Sequence, residues 1–169
     1  AETHQKLKKK YKKLLTIIIP RHVHRVNDIY KEILDMGFKV QIHSKKSKIK
    51  KDTDIYLVDT YGETKSFFKI CNVVFLGGSI VNHGGQNPLE PARFGCKILH
   101  GPNIQNFTEV YRLLNKENLS FKFYNTNQLA KSVNQSLNQN INFSKKITKL
   151  KKIGSNILHH TSTEINYFL

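Results

Sequence analysis

The sequence predicts an open α/β domain built on a doubly wound parallel sheet, and three observations lead there. Short apolar runs alternate with amphipathic stretches along most of the chain, the pattern of strand and helix units joined by short connections. Two of the runs, "IIIP" (17–20) and "VVFLGG" (73–78), are continuously apolar, as expected of strands covered on both faces of a parallel sheet. Glycine, arginine and glutamate gather directly after the runs, where the loops at the carboxyl ends of parallel strands collect ligands.

Taken in order, the chain opens on "AETHQKLKKKYKKL", where Leu7, Tyr11 and Leu14 or Leu15 fall at helical spacing. Strands are expected at 14–19, 38–43, 55–58, 73–76, 97–99 and 121–124. The second of them, "FKVQIHS", alternates apolar and polar side chains and so belongs nearer a sheet edge. Helices are expected at 26–36, 64–71, 88–94, 104–115 and 127–137. In the first of these Ile29, Ile33 and Leu34 recur at helical spacing, and Gly37 stands where a helix stop belongs. Phe143, Ile147, Leu150, Ile153, Ile157 and Leu158 also recur at that spacing, opposite lysines, which predicts a closing helix. The division is a domain over 1–140 and a terminal helix over 141–169.

A length of 169 residues suits one ordinary domain, and an apolar share of 38% excludes a disordered chain. Lysine and arginine number 28 against 12 acidic residues, a formal net charge of +16. That excess fits an anionic partner: a nucleic acid, an anionic membrane surface or a phosphorylated ligand. A composition rich in Lys, Asn and Ile is the bland alternative, since many lysines lie in "KLKKKYKK" (6–13) and "KKSKIKK" (45–51). Cys71 and Cys96 each adjoin an apolar run and read as buried free thiols of a reducing compartment. The longest apolar run, "LLTIII" (14–19), is far short of the ~20 residues a membrane span needs. With no secretory pattern at the amino terminus, the chain reads as soluble and facing the cytoplasm.

Clusters with chemistry in them follow the strands. "PRH" (20–22) puts a guanidinium where it could reach a phosphate or carboxylate, and a solvated Arg on a turn explains it equally. "DTYGE" (59–63) offers backbone approach at Gly62; Thr60 and Glu63 have capping-box spacing, so a plain turn and helix start is the stronger local reading. "GGS" (77–79) permits positive φ and adds the Ser79 hydroxyl, without being a dinucleotide or P-loop motif. In "GGQNPLE" (84–90) Asn87 is a good N-cap and Pro88 suits the first helical turn, so helix N–H groups could meet an anion while Glu90 accepts from sugar hydroxyls. Glu90 as a dipole-favourable charge is the plainer alternative. Together the last two clusters favour a small-molecule site. His22, His24, His83 and His100 lack a completing carboxylate or thiolate set for a metal. No nucleophile elbow appears. Phe67, Phe68, Phe75 and Phe107 read as core, which argues against a specific nucleic-acid surface.

In order and spacing, "IIIPRH", "VDTYGE", "VVFLGGS", "GGQNPLEPARFG" and "GPNIQNF" resemble the carboxyl-terminal half of the 3-deoxy-D-manno-octulosonic acid (Kdo) transferases, over about residues 3–137. Several ordered motifs are far more specific than any one. The resemblance implies the Rossmann-like carboxyl-terminal half of a B-type glycosyltransferase, here without the domain's first strand. It implies CMP binding by Pro20, Arg21, Tyr61, Gly62, Glu63, Asn87, Pro88, Leu89 and Glu90. Gly77, Gly78 and Ser79 become candidates for the phosphate region.

The resemblance further implies metal-independent transfer of Kdo from CMP-Kdo to a lipid A precursor at the cytoplasmic side of the bacterial inner membrane. In that reading the acceptor surface and catalytic base belong to an amino-terminal domain outside this chain, so the expectation is donor binding without turnover. Departures from the family pattern are Val23, His24, Arg25 and Val26 after "PRH", Tyr61 in place of a frequent Met, and Gln86 and Asn103 in place of frequent histidines. The alternatives are a B-type enzyme using a UDP-sugar, a basic nucleic-acid-binding module, and a non-catalytic remnant of the fold.

Overall fold

A computed structural model describes residues 1–138 and positions 148, 151, 152, 155, 162 and 163. The closing helix expected over 141–169 lies outside the described stretch. The chain divides into two units, one made of Ala1–Phe67 with Asn125–Asn134, the other containing Phe68–Tyr124.

In the first unit, helix α1 (Glu2–Lys8) leads to strand β1 (Thr16–Ile18), helix α2 (Val26–Asp35), strands β2 (Val40–Ile42) and β3 (Ile55–Leu57), and helix α3 (Thr64–Phe68). The strands form a parallel sheet in the order β1-β3-β2, with Thr16 and Val40 both in register with Ile55. The middle strand is the most buried, as its neighbours on both sides require. Its side chains alternate between two cores. Ile55 packs with Ile33, Phe38, Ile18, Ile29 and Val40 on the α2 side, while Tyr56 and Val58 pack with Phe67, Leu15, Ile17 and Ile19 on the α3 side. Each fully buried aliphatic side chain contributes about 1.5–3 kcal/mol of transfer free energy, so these paired cores fix which face each helix covers.

Helix α2 ends as its sequence dictates. Gly37 has φ +81°, and the Gly37 and Phe38 N–H groups donate to the Leu34 and Ile33 carbonyls, which satisfies the last turn. The polar strand β2 lies at the sheet edge, as its alternation predicted. Helix α1 is fastened to the amino-terminal end of the sheet. There His4 Nδ1 lies 2.8 Å from the Thr16 hydroxyl, and Lys8 Nζ lies 2.9 Å from the Asp54 carboxylate.

The second unit holds strand β4 (Val73–Phe75), helix α4 (Leu89–Arg93), strand β5 (Lys97–His100), helix α5 (Thr108–Lys116) and strand β6 (Ser120–Lys122). Its sheet is parallel in the order β4-β5-β6. Every residue of β5 is buried, and Ile98 packs with Leu76, Ala92, Tyr111, Leu114 and Leu119. Helix α6 (Thr126–Asn138) follows, and its opening residues belong with the first unit, where Thr126 donates to Glu2 and Asn134 accepts from Lys10 and Tyr11.

Expectations fail here where an apolar run did not reveal its place in the sheet. Phe75, read as core, is 43% exposed, because β4 is an outer strand of this sheet; among the described residues its ring meets the Phe123 ring edge-on. The helix expected from 104 begins instead at Thr108, after a tight turn at Gln105–Phe107. The Asn106 N–H is committed to the Gly84 carbonyl and the Asn103 side chain to the Ile80 carbonyl, which holds the segment out of helical register. Cys71 and Cys96 are free thiols, as expected; Cys96 donates to the Cys71 carbonyl at 3.0 Å, and burial pushes its thiol up to about 12.

Candidate functional site

The candidate residues of the first unit stand at the carboxyl ends of β1 and β3. Pro20 and Arg21 follow β1, with Arg21 exposed, and Tyr61 and Gly62 lie in the turn between β3 and α3. The structure brings these two motifs together: the Val23 N–H donates to the Tyr61 hydroxyl at 3.4 Å. Gly62 has φ +84°, a conformation a side chain would strain. Tyr61 is 72% exposed, so its ring is presented to solvent rather than packed.

Glu63 behaves differently from the capping-box reading. It sits at the start of α3 and its carbonyl accepts from Ser66. The Thr60 hydroxyl donates to one carboxylate oxygen at 2.8 Å, and His43 Nε2 lies 2.5 Å from the other. The Thr60 hydroxyl chiefly holds the Glu63 carboxyl below the ordinary carboxylate range, desolvation opposing it and His43 acting the same way as Thr60. His43 comes from the end of β2, and sequence reasoning missed it. The imidazole was part of an alternating strand, and only the β1-β3-β2 strand order places it beside the β3 exit. Ser44, the next residue, donates its N–H and hydroxyl to the two oxygens of Asp59.

In the second unit the glycine-rich clusters meet. The Gly85 N–H donates to the Gly78 carbonyl at 3.1 Å, and a Cβ on Gly78 would lie 3.5 Å from the Gln86 side-chain nitrogen. Gly77 is exposed at the tip of this turn. Pro88, expected in the first helical turn, is itself the residue that caps α4, so Asn87 stands one position earlier than the expected cap; its side-chain oxygen still accepts from the Leu89 N–H at 3.0 Å. Pro88 is fully buried, Leu89 and Glu90 are half-buried, and α4 runs for only five residues. Tyr111 anchors the same loop from below by donating its hydroxyl to the Gln86 carbonyl at 3.1 Å.

Ser79 is a correction. Its hydroxyl, expected to reach a phosphate, is fully buried, donates to the Leu76 carbonyl at 2.7 Å and accepts the Gly101 N–H at 2.9 Å. It therefore locks the turn and leaves the exposed tip to Gly77 and Gly78. His100, one of the four histidines without a metal-ligand set in the sequence, is buried against Tyr111 with ring centroids 4.3 Å apart. Burial holds its imidazole below the ordinary value, with the Lys122 charge acting the same way and the Gly101 carbonyl opposing. Among the described residues, no group of three or more His, Cys, Asp or Glu side chains is placed to hold a metal ion.

No protein-family model matches the chain. Individual proteins do. A 3-deoxy-D-manno-octulosonic acid transferase of Haemophilus influenzae is 34% identical over 113 residues, which is 67% of this chain and 26% of that protein. The transferase of the same name from Aquifex aeolicus is 29% identical over 79% of this chain and 36% of its own length. The chain thus spans about a quarter to a third of the curated relatives it matches. Among solved structures, the C-terminal CMP-Kdo binding domain of WaaA from Acinetobacter baumannii superposes with a TM-score of 0.80, covering 90% of this chain and 79% of that one at 24% identity. That likeness shows the fold, an α/β arrangement of parallel sheets of the Rossmann-like kind.

Proposed function

We propose that this chain, whose sequence is similar to the 3-deoxy-D-manno-octulosonic acid transferases over two thirds of its length, is the donor-binding part of such a glycosyltransferase. The observation that carries the reading is the sequence similarity itself, and "PRH", "DTYGE" and "GGS" follow strands β1, β3 and β4 while "GGQNPLE" leads into helix α4. The donor is CMP-Kdo. The candidate nucleotide contacts are Pro20, Arg21, Tyr61, Gly62 and Glu63 in the first unit and, taken by themselves, Asn87, Pro88, Leu89 and Glu90 in the second. Backbone N–H groups at Gly77 and Gly78 serve the phosphate, while Ser79 supports them from beneath.

The chemistry asked of these residues is binding and orientation. Kdo transfer breaks the bond between the sugar and the CMP phosphate, and a guanidinium and backbone N–H groups stabilise the negative charge that collects on that phosphate. This reading needs no metal ion. The acceptor in this reading is a lipid A precursor, and the donor-binding residues named above are not asked to hold it. Among the described residues no helix is long and apolar enough to cross a membrane. The net charge of +16 draws the chain to the anionic cytoplasmic face of the inner membrane, to phosphorylated acceptors and to the donor alike.

Calorimetric titration with CMP and UMP tests the reading. CMP is expected to bind more tightly than UMP, with affinity that falls as salt rises. Arg21→Ala and Glu90→Ala are each expected to weaken CMP binding about tenfold, the loss of roughly one charge-assisted hydrogen bond. Equal heats from CMP and UMP favour a UDP-sugar enzyme, and absent heats leave the chain without a nucleotide role.

A further inference from the structure

We infer that His43 is a positioning residue for nucleotide recognition, fixing the Glu63 carboxylate and through it the exposed Tyr61–Gly62 turn. The inference rests on the donor-binding reading and adds to it a residue that lies outside the sequence motifs. Both ring nitrogens are engaged. Nε2 lies 2.5 Å from the Glu63 carboxylate and Nδ1 lies 3.0 Å from the Tyr56 hydroxyl. With a proton on Nε2 the imidazole donates to Glu63 and accepts from Tyr56, so a chain of hydrogen bonds runs from the buried middle strand to the turn. The ring is also held by packing, edge-on to Tyr56 and Phe67 at centroid distances of 5.6 and 5.5 Å. Aromatic packing of this kind leaves the imidazole one orientation, which suits a residue that orients another.

What His43 orients is the one short turn in this unit with an outward ring and a positive-φ glycine. Thr60 and Glu63 close that turn by the Thr60 hydroxyl on the free carboxylate oxygen. Without His43, Glu63 keeps only the Thr60 contact and can rotate about its own side chain, and the turn is left tied to the end of β2 through Ser44 and Asp59 alone. The charged groups facing the imidazole are Glu63 from the turn and Asp59 from the end of β3, with Lys46 acting on Glu63 from the loop after β2. Since both nitrogens are used inside the protein, His43 acts on a ligand through Glu63 and not by touching it.

The test compares the full chain with His43→Ala, His43→Gln and Glu63→Gln. CMP affinity is expected to fall roughly tenfold in His43→Ala and Glu63→Gln, and to return to within about threefold in His43→Gln, whose amide can donate to the carboxylate. The Gly62 amide resonance in a nitrogen–proton correlation spectrum is expected to move in His43→Ala and to return in His43→Gln. Unchanged CMP affinity in His43→Ala, or equal losses in the Ala and Gln variants, overturns the inference. If the unsubstituted chain gives no heat with CMP, the donor-binding reading has failed. The Gly62 resonance then decides alone: restored by Gln it upholds the positioning of the turn, and unmoved by Ala it refutes it.

Discussion

The Ser79 hydroxyl accepts the Gly101 N–H at 2.9 Å and so joins the loop after β4 to the loop after β5, with both groups buried. The same hydroxyl donates to the Leu76 carbonyl. Ser79→Ala leaves a buried donor and a buried acceptor without this partner, which costs about 1–3 kcal/mol. The expected result is a lower denaturant midpoint with an unchanged slope. A midpoint equal to that of the unsubstituted chain would show that the two loops are held by other contacts.

Gly101 faces the same joint from the other side. A Cβ there would stand 2.4 Å from the Ser79 carbonyl oxygen, a backbone atom that cannot swing aside as a side chain would. Gly101→Ala is therefore expected to shift the 77–80 turn as well as to destabilise the fold, by about 1–3 kcal/mol for overpacking. Amide resonances of Gly77 and Gly78 report the shift. Stable protein with those resonances in place would contradict the close approach.

Much of the fold was legible because local chemistry decides it. Gly37 stops α2 through its positive φ, the Asn87 side chain satisfies the first N–H of α4, and the alternating "FKVQIHS" falls at a sheet edge. What stayed hidden needed knowledge of neighbours in space. "VVFL" reads the same whether its strand is central or outer, so Phe75 was placed in the core although its strand is an outer one. The site shows the same limit. Glu63 was visible as a motif residue, but its partner His43 lies 20 positions upstream, directly after a strand that pairs with β3 only in the folded sheet. Ser79 was legible as a hydroxyl next to glycines, while the Gly101 N–H that consumes it was not.

Stability is expected to fall as the pH drops from 7 towards 5. Burial holds the imidazoles of His4 and His100 below their ordinary value, the Asp54 carboxylate partly opposing at His4 and the Gly101 carbonyl at His100. In the unfolded chain each takes up a proton near pH ~6.5. Below that value the unfolded state binds more protons than the folded one, so the contribution present at neutral pH is lost progressively on acidification. Glu63 and Asp54, whose carboxyls are held low in the folded state, add losses only further into the acid range. Urea midpoints across this range measure the slope. His100→Gln, which cannot titrate, is expected to flatten it, and an unaltered slope would assign the effect elsewhere.

Asn87 allows capping to be separated from ligand contact. Its side-chain oxygen accepts from the Leu89 N–H, so Asn87→Ala is expected to cost about 1 kcal/mol of stability. Asn87→Asp keeps an oxygen in place and should retain the cap, since a carboxylate is equally favoured at a helix start. It also brings a negative charge beside the groups proposed to face CMP. The Asp variant is therefore expected to unfold at the original midpoint while binding CMP about tenfold more weakly, through repulsion of the phosphate. Parallel calorimetry and denaturant titrations check this. Equal CMP affinity in the Asp variant would remove Asn87 from the nucleotide contact and leave it as a cap alone.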